Sequence, residues 1–108
     1  MKTLPYRATT GTGDQFDIDF ILHPDTHSGV RVSQLITVVL DAINRDVTHM
    51  GESSNGDVLQ ALAMALAIRA RMIHAPHESV ERLTRGLVRN ALNAVADANR
   101  QTPRIGHA

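Results

Sequence analysis

Ala61-Leu62-Ala63-Met64-Ala65-Leu66-Ala67-Ile68 is the longest apolar run in the chain, and Arg69 closes it. Eight residues fall far short of the roughly 20 that a bilayer span takes. Within a helix over about residues 57–74, Val58, Leu59, Leu62, Met64, Ala65, Leu66, Ile68, Met72 and Ile73 point in every direction, and Ala61, Ala63, Ala67 and Ala70 fill the gaps. A helix that is apolar all round is normally a buried one, so this second helix is expected to be largely buried. Ser54 or Asn55 supplies a cap at its start, and Pro76 ends it.

The flanking segments are more conventional. Before the run, Val32, Leu35, Ile36, Val39, Leu40, Ile43 and Val47 recur at steps of three and four, one apolar stripe along a helix. Ser33 is its predicted cap and Gly51 its predicted stop. After the run, Val80, Leu83, Leu87, Ala91, Ala94 and Ala98 form the inner stripe of a third helix over about residues 77–99. Arg82, Arg85 and Arg89 lie together on its other side.

Further out, the period changes from 3.6 to 2. Leu4, Tyr6 and Ala8 alternate with Pro5, Arg7 and Thr9, while Phe16, Ile18, Phe20 and Leu22 alternate with Asp17, Asp19 and Ile21. These are two half-buried strands. Thr10-Gly11-Thr12-Gly13-Asp14 lies between them, with glycines for the positive φ of a hairpin loop. Pro5 cannot donate to a ladder, which predicts an edge position for the first strand. Arg7 is placed to pair with Asp17 or Asp19 across the strands.

Net charge is zero, but residues 1–54 carry seven acids and four bases, while residues 55–108 carry four acids and seven arginines. The resulting balance of −3 against +3 reads as internal complementarity or steering between subunits, rather than as the footprint of a polyanion binder. The absence of cysteine excludes disulfides, thiolate metal sites and thiol nucleophiles, and fits the cytoplasm.

Side chains that carry chemistry are sparse. His23 and His27 are four apart, His74 and His77 three apart, and Asp25 is near the first pair, a spacing compatible with imidazole–carboxylate metal ligation. Helix-end placement of His49 and His74, where a cation complements exposed carbonyls, is the stronger reading. Asp17 and Asp19 share one side of a strand about 7 Å apart, which is better read as a solvated face that guards an edge. Gly11-Thr12-Gly13 leads into a strand rather than a helix, so it does not cradle phosphate. Arg82, Arg85 and Arg89 could track phosphates, but Glu78 and Glu81 stand four residues before Arg82 and Arg85. One tyrosine and no tryptophan leave no base-stacking platform.

The expected fold class is α+β: an N-terminal β-hairpin followed by three amphipathic helices, the second largely buried, with Val30-Arg31-Val32 the candidate for a short third strand. One domain covers residues 1–100, and 101–108 form a flexible tail. The leading functional expectation is a non-enzymatic, self-associating interaction or accessory protein of bacterial type, without cofactor, metal or membrane. It would be a homodimer or higher oligomer, with an unidentified protein as a further candidate partner. Its interface candidates are Leu62, Met64, Leu66 and Ile68. The alternatives are a small apolar ligand-binding domain with a closed cavity beside Met64 and Met72, and a nucleic-acid-binding regulator using Arg82, Arg85 and Arg89. An enzyme ranks last.

Overall fold

The computed structural model describes residues 2–51 and 53–101. In chain order the elements are β1 (Thr3–Thr9), β2 (Gln15–Ile21), α1 (Gly29–Met50), α2 (Asn55–Arg71), α3 (His77–Ala96) and β3 (Asn99–Gln101). This is the expected α+β arrangement of a hairpin followed by three helices. Two compact units divide the chain: one takes in residues up to Ser33 and from Leu87 on, the other Gln34–Gly86.

The first unit holds an antiparallel sheet in the order β1-β2-β3. Its hairpin closes through a three-residue loop. The Thr10 amide donates to the Asp14 carbonyl at 2.8 Å, and Gly13 donates to the Thr10 carbonyl at 3.0 Å. Gly13 has φ +90°, the left-handed residue that completes such a turn. Directly opposed residues share a face, so Leu4 with Phe20, Tyr6 with Ile18, and Ala8 with Phe16 form the apolar side, where Ile18 is 8% exposed. The Leu22 amide bonds the Lys2 carbonyl at 2.9 Å. Together with the Thr10–Asp14 bond, this makes the even-numbered residues of β1 the ones that face β2. Pro5 therefore turns its missing N–H toward the open edge, as expected of an edge strand.

The third strand is not where β-branched composition suggested. Val30, Arg31 and Val32 lie in the first turn of α1, because Ser28 Oγ accepts the Arg31 amide at 3.1 Å and starts the helix ahead of the predicted cap Ser33. β3 comes instead from Asn99–Gln101, which pair with Asp17, Phe16 and Gln15. Gln101, read as the first residue of a tail, thus belongs to the sheet, while residues 102–108 lie outside the described residues.

The helix ends follow from local chemistry. Gly51, φ +97°, donates to the Val47 carbonyl at 3.1 Å just past α1. Ser54 caps α2, its Oγ accepting the Asp57 amide at 3.1 Å. Met72 and Ile73 donate back to Ile68 and Ala70 at 3.2 Å each, so α2 closes at Arg71 and His74 lies beyond it rather than in its last turn. The Pro76 carbonyl then accepts from Ser79 and Val80 as α3 begins. Val80 is 8% exposed.

The expected burial of the second helix is not met within the chain. No residue of α2 is fully buried; Val58, Leu62 and Ala70 are half-buried, and the rest are exposed. A helix with apolar side chains in every direction needs neighbours in every direction, and within the unit Gln34–Gly86 only α1 and α3 residues accompany it.

Candidate functional site

The residues around α2 form the most distinctive surface. On one side, Val58 and Leu62 of α2 line an apolar groove of about 400 Å³ with Ile43 and Val47 of α1, and Asp46 and Asp57 are also in its wall. On another side, Ala67, Ala70 and Arg71 line a smaller groove of about 240 Å³ with His77, Val80 and Thr84 of α3. Neither groove involves Met64 or Met72, the residues beside which a ligand cavity was anticipated.

The four interface candidates separate by direction. Leu62 is half-buried in the α1 groove. Met64 and Ile68 are 56% and 59% exposed. Leu66, also exposed, lies about 160° round the helix from Met64 at 100° per residue. The structure thus spreads these side chains around the helix rather than gathering them on one face.

The basic-face candidates Arg82, Arg85 and Arg89 all lie on α3, and all three are exposed. Arg85 Nη2 donates to Glu81 Oε1 at 3.3 Å, the i,i+4 pair anticipated from sequence.

The histidines and carboxylates remain scattered. His23 Nδ1 accepts the Asp25 amide at 3.0 Å, a turn contact. His27, His74 and His77 are exposed. Among the described residues, no three His, Cys, Asp or Glu side chains are grouped so as to hold a metal ion. Asp17 is claimed by Arg7, whose Nε donates to Oδ1 at 2.7 Å, and Asp19 is exposed. The hydrogen bond from Arg7 to Asp17, then the carboxylate charge, raise the guanidinium pKa further. Among the described residues, no helix is long and apolar enough to cross a membrane.

One pair escaped the sequence reading. Asp14, read only as a loop residue, is 7% exposed and binds Arg100 through Nε at 2.7 Å and also through Nη2. The Asp14 amide donates to Thr10 Oγ1 at 3.0 Å, which holds the loop in place. No local pattern marks a pair 86 residues apart; the only hint is an arginine beyond the last apolar position of α3.

No protein-family model matches the chain, and neither a curated protein nor a solved structure matches it.

Proposed function

We propose that this chain is a self-associating interaction protein rather than a catalyst, and that its helices complete their packing against a further copy of the chain. The observation that carries the reading is α2, which is apolar in every direction yet has no buried residue. Soluble proteins rarely leave a contiguous apolar patch larger than a few hundred Å² uncovered, and burial against a symmetry mate is the usual remedy.

A cytoplasmic location is part of the proposal, supported by the lack of cysteine.

Light scattering across micromolar concentrations tests this. A dimer or larger species is expected, and a strictly monomeric mass overturns the proposal.

A second reading is a binding site for a small apolar ligand, favoured by the α1–α2 groove of about 400 Å³, which is within the range of small-molecule sites. Native mass spectrometry separates the two: retained small-molecule mass on a monomer favours the ligand, and multiples of the chain mass favour self-association.

A further inference from the structure

Asp57, Ala61, Met64, Ile68 and Arg71 follow one another along α2 at spacings of four, three, four and three. At 100° per residue they fall within about 80° of one another, so they form a single row. All five are exposed. Asp57 and Ala61 border the α1 groove and Arg71 the α3 groove, so the row runs between the two grooves; Leu59 and Leu66, on the opposite side of α2, are exposed as well. Its centre is apolar and its ends carry opposite charges. Among the described residues, neither Asp57 nor Arg71 has an ion-pair partner.

We propose that this row is the seam between two copies of the chain, with α2 of one copy antiparallel to α2 of the other. The proposal rests on self-association and adds the face, the direction and the register. Asp57 and Arg71 each stand seven residues from Met64. With a two-fold axis at Met64, Asp57 of each copy lies opposite Arg71 of the other, and symmetry makes the pair twice. A parallel pairing would set Asp57 against Asp57 and Arg71 against Arg71, which is repulsive at both ends. Antiparallel helices also set the positive dipole end of each beside the negative end of the other. The alternation of four and three is the spacing that keeps one seam facing a partner helix. Ala61 lets the backbones approach, while Met64 and Ile68 fill the centre. The occupant is a second copy because the row is complementary to itself.

Sedimentation equilibrium on the full chain at micromolar concentration tests the seam. The wild type should be a dimer. Arg71→Asp and Asp57→Arg should each raise the dissociation constant about tenfold, since each change acts twice across the two-fold axis and replaces attraction with repulsion. The double variant Asp57→Arg/Arg71→Asp should return close to wild type. That recovery separates a lost pair from a weakened helix, because the double variant carries both helix-end penalties. Met64→Cys puts one thiol into a chain that has no cysteine, and mild oxidation should link two copies without depending on the charge variants. A wild-type dimer that ignores both reversals and gives no Met64→Cys cross-link overturns the seam but leaves self-association standing. Dissociation by Leu66→Glu but not by Met64→Glu also overturns it. A monomeric wild type overturns both.

Discussion

Arg100 Nε donates to Asp14 Oδ2 at 2.7 Å, and the same guanidinium lies 5.2 Å from the centre of the Phe16 ring. One side chain on β3 therefore meets both a buried carboxylate in the hairpin loop and the apolar face of β2. Removing it strands Asp14. Arg100→Ala should lower stability by about 1–3 kcal/mol, the cost of leaving a buried charged acceptor without its donor, read from urea denaturation as a lower midpoint at unchanged slope. An unchanged midpoint would show that water replaces the arginine without loss.

Arg7 and Asp17 make the opposite case. Their pair is as short, 2.7 Å, but both side chains are largely in water, and such pairs contribute little. The raised Arg7 pKa gives a stabilising contribution that is fully present below its ordinary, strongly alkaline value and is lost only as pH climbs through the folded value. Arg7→Gln should therefore leave the pH dependence of the melting temperature unchanged between roughly pH 6 and 9. A difference between the two curves in that window would contradict this.

The two hairpin glycines should respond differently. Gly13 has φ +90°, where a Cβ is strained, so Gly13→Ala should cost about 1–2 kcal/mol. Gly11 has no atom within 4 Å of the position a Cβ would take, and its φ is not positive. Gly11→Ala should be neutral or slightly stabilising through the unfolded chain. Thermal melts of the two variants decide it, and equal losses would reject the loop assignment.

Ser54 is the cap of α2, its Oγ accepting the Asp57 amide. Ser54→Ala should cost about 0.5–2 kcal/mol, and Ser54→Asp should recover most of it. Failure of the aspartate to rescue would mean that the hydroxyl has another role.

Chelation and nucleic acid supply two further checks. A melt in EDTA should superimpose on one without it; a shift of several degrees would indicate a structural metal ion, since such ions contribute folding energy directly. Binding to duplex DNA at physiological salt should be no tighter than the roughly 10⁻⁴–10⁻⁶ M of non-specific association. Submicromolar binding, lost in an Arg82/Arg85/Arg89→Ala variant, would reinstate the basic face as a site.

The parts of the fold that could be read from sequence are those set by near neighbours. The hairpin, its Gly13 turn, the edge position of Pro5, the Ser54 cap and the stop at Gly51 each depend on a few adjacent residues. What escaped depends on distance. Asn99–Gln101 have no alternation that marks a strand; they become one because the edge of β2 lies open to them. Val30 and Val32 have strand-forming side chains, but the Ser28 cap and the apolar stripe that follows draw them into α1. The candidate surface was half legible. Ala61 to Ile68 announced unsatisfied apolar area, but that Leu62 alone of Leu62, Met64, Leu66 and Ile68 is half-buried depends on the groove it shares with α1.

The position of β3 has a consequence for the order in which the protein is made. On the ribosome, Asp17 emerges 83 residues before Arg100, an interval on the order of ten seconds. All of Gln34–Gly86 is synthesised within it, and its helices need only nearby sequence to form. The hairpin must wait through this interval with the Gln15–Asp17 edge unclaimed. During that wait it is guarded by a proline on one margin and by aspartates at positions 17 and 19 on β2. Synthesis therefore finishes Gln34–Gly86 before it closes the sheet, with Arg100 reaching Asp14 only after all of that segment is out.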